Sequence, residues 1–143
     1  MSIPRKTLTE DLSYLFPDTE QIKVLLVEDD PVTRWMVRTG LKEECVFATA
    51  NHVQQAMDLY VSYAPHIVFL DIQLPDGSGY EVLDWIMWHD PEAYVVMFSS
   101  HNDLDNIMKA FESGANGFIA KPFLKDTLLH YIHSHSNPES LLE

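Results

Sequence analysis

Three consecutive acids (Glu28-Asp29-Asp30), the lone carboxylate of Asp71, a hydroxyl pair at Ser99-Ser100 and the amine of Lys121 are the side chains best placed to do chemistry in this chain. Each follows directly on an apolar run. Carboxylates gathered together repel and raise one another's pKa unless a cation intervenes. A hard, all-oxygen site that keeps open positions suits Mg²⁺. Such an ion can neutralise an incoming phosphoryl group beside Asp71, with Lys121 supplying a second positive charge and Ser99 a hydroxyl. That is a phosphoryl-transfer constellation with a carboxylate nucleophile. Every one of these residues also has a plainer use. Acids ahead of Pro31 favour a helix N-terminus through its dipole. Asp71 suits a cap or turn, Ser99 a turn hydroxyl and Lys121 a solvated charge.

The elements that must carry them decide between the two sets of uses. Ile67-Val68-Phe69-Leu70 has no polar alternation, so it reads as a strand buried on both faces, as in a parallel sheet. Pro75-Asp76-Gly77 then stops it with turn chemistry. Four more strands are expected over Ile22 to Val27, Val46 to Ala50, Tyr94 to Phe98 and Gly117 to Ala120. Between them lie helical patterns. The first begins at Pro31, runs to about Glu43 and has Val32, Met36, Val37 and Leu41 as its apolar stripe, with Trp35 off it. The second is capped by Asn51 and runs from about His52 to Tyr63. The others cover Ser78 to His89, Asn102 to Ser113 (ended by Gly114) and Leu124 to His135. Strand-then-helix, five times over, gives a parallel sheet covered on both faces, because parallel strands need helical crossovers. In such a doubly wound sheet the carboxyl ends of the strands share one edge. All four polar clusters therefore converge there, which four separate accidents would not produce.

Composition narrows the function classes. A chain of 143 residues with 46% hydrophobic and 22% charged residues is globular and about one domain long. Its net charge of −13 argues against nonspecific binding to nucleic acid or an anionic membrane. No run approaches a membrane span and no signal-peptide core is present, so a reduced, cytoplasmic setting is expected. The single Cys45 has no partner for an internal disulfide and reads as a buried thiol. His130, His133 and His135 have metal-like spacing, but no cysteine or carboxylate cluster accompanies them. Residues 1–20 read as a leader with a short helix over Glu10 to Phe16, capped by Thr9, whose face of Leu12, Leu15 and Phe16 packs back on the domain or meets a partner. Residues 21–136 form the domain proper, and 137–143 a polar tail.

With these motifs in order, the chain resembles the receiver domain of two-component response regulators from about Gln21 to His135. The likeness lies in Val24-Leu25-Leu26-Val27-Glu28-Asp29-Asp30, in Phe69 through Gly79, in Phe98-Ser99-Ser100 and in Gly114 through Phe123. It implies a flavodoxin-like α/β fold, a five-stranded sheet in order 2-1-3-4-5 with five helices. It implies that Asp71 accepts a phosphoryl group from a histidine kinase or phosphotransfer protein. Asp29 and Asp71 match direct Mg²⁺ ligands, Glu28 the other member of the acid pair, and Gln73 a ligand through its backbone carbonyl. Ser99 matches the switch hydroxyl, Phe118 the switch aromatic, and Lys121 the lysine before a cis proline. Ser99 replaces the commoner Thr, and Phe118 stands where Tyr is frequent. Gln73 and His101 occupy positions that tune phosphate lifetime in the family.

The expected role is a signalling switch and not an enzyme beyond its own phosphorylation and dephosphorylation. Its output leaves through a protein-binding face on the fourth helix, fifth strand and fifth helix, with homodimerisation on phosphorylation as a further outcome. A single-domain regulator is expected. The alternatives are a non-phosphorylated adaptor on the same fold and a fragment of a longer effector-bearing regulator. A haloacid-dehalogenase-type phosphatase would need a second acid two residues after the nucleophile, and that residue is Gln73.

Overall fold

The computed structural model describes residues 21–136. The leader helix and the polar tail expected from the sequence lie outside those residues. The apolar runs form one five-stranded sheet from β1 (Ile22–Val27), β2 (Cys45–Ala50), β3 (Ile67–Asp71), β4 (Val95–Ser99) and β5 (Gly117–Ala120). The order is 2-1-3-4-5 and every pairing is parallel. Helices α1 (Pro31–Leu41), α2 (Val53–Tyr63), α3 (Gly79–His89), α4 (Leu104–Glu112) and α5 (Lys125–Ser136) connect and follow the strands. This is the flavodoxin-like receiver fold.

The two-residue period of the strands splits the core into two layers. Leu25, Val27, Val68, Leu70, Val95 and Met97 face α2, α3 and α4. Val24, Leu26, Phe69, Val96, Phe98 and Ile119 face α1 and α5, where they meet Val37, Leu41, Leu128 and Ile132. β3 is buried at all five positions, which is why it carries no polar alternation.

Several boundaries differ from the sequence reading for identifiable reasons. Val32 and Met36 are exposed, and the buried stripe of α1 is Val37 and Leu41. This helix leans on the sheet by its C-terminal half, so its first turn stays in solvent. Ser99 belongs to β4 itself, bonded in register opposite Ala120. Asn51 is not the cap of α2. His52 is, with Nδ1 accepting from the Gln55 amide, and Asp76 reaches across from the β3–α3 connection to accept from the Val53 and Gln54 amides. The turn at Pro75-Asp76 closes a two-residue antiparallel ribbon, Gln73–Leu74 against Gly77–Ser78. α3 then starts with a full capping box between Ser78 and Glu81. Trp35 is exposed and Cys45 is buried, both as expected.

Candidate functional site

Hydrogen bonding sorts the three acids after β1 into three roles. Asp30 is the N-cap of α1. Its Oδ2 accepts from the Thr33 amide at 3.0 Å and from the Thr33 hydroxyl at 2.6 Å, and these bonds hold its carboxyl below the usual carboxylate range. Here the plainer reading of the sequence holds. Glu28 is fully buried, and both of its oxygens are engaged: Oε1 accepts from Lys121 Nζ and Oε2 from the Asp30 amide. Asp29, between them, is exposed.

Asp71 ends β3 and is 6% exposed. Its Oδ1 accepts from the Gln73 amide at 3.2 Å, and its Oδ2 accepts from Lys121 Nζ at 3.1 Å. Lys121 directly follows β5, and its amine spans from the end of the last strand to the ends of the first and third. The peptide bond between Lys121 and Pro122 is cis, as the resemblance implied. Carboxylate oxygens of Glu28, Asp29 and Asp71 lie within 4.8 Å of one another. Burial, followed by the carboxylate of Asp71, raises the Glu28 pKa to about 7 even with Lys121 alongside. Burial pulls Lys121 down, but Glu28 and Asp71 outweigh it and keep the amine charged.

Close approach of the backbone shapes the cleft. Gly79 begins α3 against the end of β3, its amide donating to the Ile72 carbonyl at 2.6 Å. A Cβ on Gly79 would overlap the Asp71 carbonyl oxygen, so only glycine lets α3 start there. The cleft, about 430 Å³, opens over Asp29, Asp71, Gln73 and Lys121. Gln73, expected to act through its carbonyl, lines the cleft and holds Asp71 through its amide.

Ser99 and Phe118 are not among the residues that line the cleft. Ser99 is 1% exposed and does not line the cleft; its Oγ accepts from the His101 amide at 2.9 Å. Phe118 is half-buried on β5 and packs against the layer under α2, α3 and α4. The histidines of α5 form no metal cluster among the described residues: His133 pairs with Glu44 at 3.0 Å, and His135 packs edge-to-face against Tyr94. The role of Asp76 as a remote cap went unread in the sequence, because a capping bond across 23 residues leaves no local pattern.

A half-buried lysine shared by two carboxylates, with a third exposed beside them at the carboxyl edge of a 2-1-3-4-5 sheet, is the arrangement the resemblance implied. The family model for the response regulator receiver domain matches residues 24–133, and the chain belongs to that family. Among its relatives, the chemotaxis protein CheY of Halobacterium salinarum is 34% identical over 111 residues, covering 77% of this chain and 92% of the relative. CheY of Listeria monocytogenes is 36% identical over 110 residues, covering 76% and 92%. The cell cycle transcriptional regulator CtrA of Caulobacter vibrioides is 32% identical, covering 79% of this chain but 49% of the longer relative. Among solved structures, the BeF3-activated receiver domain of DrrB superposes with a TM-score of 0.75 at 30% identity, covering 82% of this chain and 98% of that one. The chain is thus a response regulator receiver domain of two-component signalling. Among the described residues no helix is long and apolar enough to cross a membrane.

Proposed function

We propose that this chain is a phosphorylation-dependent switch in which Asp71 takes a phosphoryl group from a phosphohistidine donor and alters a protein-binding surface. The observation that carries this reading is the placement of Lys121 Nζ on both Glu28 and Asp71, with Asp29 free in the same cleft. A nucleophilic oxygen of Asp71 forms the new P–O bond as the P–N bond to the donor imidazole breaks. The imidazole leaves with the bonding pair and takes up a proton. Lys121 holds the carboxylate in place and faces the charge that gathers on the phosphoryl oxygens.

The donor set fits a divalent hard cation: oxygens only, two acids with free lone pairs, and an open cleft. Asp29 and Asp71 would hold Mg²⁺, and Glu28, which is fully buried, would position Lys121. When bound, the ion would offset phosphoryl charge. The chain catalyses only its own phosphorylation and dephosphorylation in this reading. Its partners are a histidine kinase or phosphotransfer protein upstream and a protein target downstream at α4, β5 and α5.

Incubation with Mg²⁺ and a small phosphodonor, followed by mass spectrometry, tests the proposal. One phosphoryl mass on the wild type, absent from Asp71→Asn and absent in excess chelator, is expected. Phosphorylation that persists in either case overturns it.

A further inference from the structure

Outside the receiver site, the most unusual surface of this acidic chain is a basic one. Arg34, Arg38 and Lys42 stand one helical turn apart on α1, and they are three of only nine Lys and Arg residues in the sequence. With Trp35 and Phe47 they line a groove of about 690 Å³ between α1 and β2, the outermost strand of the sheet. Trp35 is 66% exposed, and the Arg38 guanidinium sits 6.0 Å from the centre of the Phe47 ring. Arg34 spends its guanidinium on the carbonyls of Glu28 and Asp29. Among the described residues no carboxylate pairs with Arg38 or Lys42. Cations and an aromatic left open together, on a molecule with a net charge of −13, call for an acidic and partly apolar occupant.

We infer that residues 9–20 of this same chain dock in the groove between α1 and β2. Two features of the molecule point to this occupant. The first is its chemistry. Residues 9–20 hold Glu10, Asp11, Asp18 and Glu20 with no basic residue, and they interleave these acids with Leu12, Tyr14, Leu15 and Phe16. The acids complement Arg38 and Lys42, and the apolar side chains complement Trp35 and Phe47. The second is where the segment joins the domain. β1 lies beside β2 in a register that sets Ile22 opposite Cys45 and Val24 opposite Phe47. Gln21, the first described residue, therefore enters the sheet at the end of the groove that holds Cys45 and Lys42. From Lys42 back to Arg34 is eight residues of helix, roughly 12 Å. Twelve extended residues reach about 40 Å, so the segment can lie along the whole groove without strain. Its joining point also keeps it at high local concentration, which a separate acidic partner would lack.

The test uses the full chain carrying Ser13→Cys with a nitroxide on the new thiol. Cys45 stays unlabelled, because it is buried and its thiol is pushed up to about 11. In a ¹⁵N chain that itself bears the nitroxide, the amides of Trp35, Arg38 and Phe47 should lose intensity. In a mixture of ¹⁵N chain without label and unlabelled-isotope chain with nitroxide, they should not. Arg38→Glu with Lys42→Glu, both on an exposed helix face, should reduce the docked population roughly fivefold, since exposed ion pairs are individually weak and their reversal adds repulsion. Adding Asp18→Lys and Glu20→Lys to that variant should restore the effect. Intensity loss confined to other surfaces, or unchanged in the Glu variant, overturns the inference. So does loss seen only in the mixture, which assigns the groove to a second copy. Absence of any loss also overturns it and leaves the groove to an acidic partner in trans.

Discussion

Asp76 and Val53 are joined by a hydrogen bond from the Val53 amide to Asp76 Oδ1 at 2.6 Å, across 23 residues of chain. The loop that leaves β3 thus fastens the start of α2, the helix that precedes β3 in the sequence. That bond, the first cause, holds the Asp76 carboxyl below its ordinary value. A carboxyl depressed in the folded state stabilises the fold above its unfolded pKa, and the contribution is lost as pH falls through the folded value. Asp76→Ala should lower the melting temperature by a few degrees at pH 7. The difference from wild type should vanish as the pH is taken below the carboxylate range, which paired calorimetric scans would show.

His135 gives the opposite end of the sheet its own pH response. Its ring packs edge-to-face against Tyr94 with centroids 5.1 Å apart, and its Nδ1 is buried with no hydrogen-bond partner among the described residues. Burial first, and the neighbouring His66 second, depress its pKa. The folded state therefore favours neutral imidazole. Stability is intact above the unfolded value of about 6.5 and declines as pH falls through the lower folded value, because the unfolded chain binds the proton first. His135→Phe should flatten the fall in melting temperature between pH 7 and pH 5 while the wild type shows it. An equal fall in both would mean that another group is responsible.

At the acidic cleft, removing charge and removing metal should act oppositely. Asp29 is exposed, and its neighbours Glu28 and Asp71 are already bonded to Lys121. Asp29→Asn should leave the melting temperature without metal unchanged or higher, since it relieves like-charge repulsion. It should also abolish the rise seen on adding Mg²⁺. For a wild-type site at a hundred times its Kd that rise corresponds to about 2.7 kcal/mol. A full Mg²⁺ response in Asp29→Asn would remove Asp29 from the ligand set.

Gly79 supports the same cleft from behind. Gly79→Ala forces a methyl against the Asp71 carbonyl and must shift either β3 or α3. A loss of about 1–3 kcal/mol is expected from denaturant unfolding, in line with other overpacked sites. Phosphotransfer to Asp71 should slow as well, because the shift moves the nucleophile.

Output should separate from phosphorylation at Ser99 and at α4. Ser99 Oγ accepts from the His101 amide, and in the proposed switch the hydroxyl re-orients toward a phosphoryl oxygen. A phosphate that binds the turned arrangement better shifts a pre-existing balance toward it. Ser99→Ala should still be phosphorylated but should lose partner binding or phosphorylation-induced dimerisation. On α4, Leu104, Met108 and Phe111 form an exposed apolar stripe. Phe111→Ala should weaken that association at an unchanged rate of phosphotransfer. Chemical-shift changes on phosphorylation confined to α1 and α2 would place the output elsewhere.

What could be read from the sequence followed from repetition and spacing. Five apolar runs, each ending in a polar cluster or a turn, dictate a parallel sheet, and the sheet brings Glu28, Asp29, Asp71 and Lys121 to one edge. What escaped was set by tertiary contact. Nothing local to Val32 and Met36 says that the first turn of α1 lifts off the sheet. Nothing near Asn51 announces that Asp76 will cap the next helix. The three acids after β1 look alike in sequence, and only the positions of Thr33 and Lys121 in space make one a cap, one a buried anchor and one a free carboxylate. Nothing in the sequence of α4 says that Leu104 and Met108 stay in solvent, because both fit a buried pattern equally well.

The bond between Glu28 and Lys121 joins residues 93 positions apart, from the first strand of the sheet to the last. A chain growing at the usual rate makes Glu28 on the order of ten seconds before Lys121. Until β5 is laid against β4, the acids stand together with no internal cation among them. On the proposed function, readiness to receive a signal therefore comes late in synthesis, and a chain broken off before residue 121 should be silent to its donor however well its first three strands had formed.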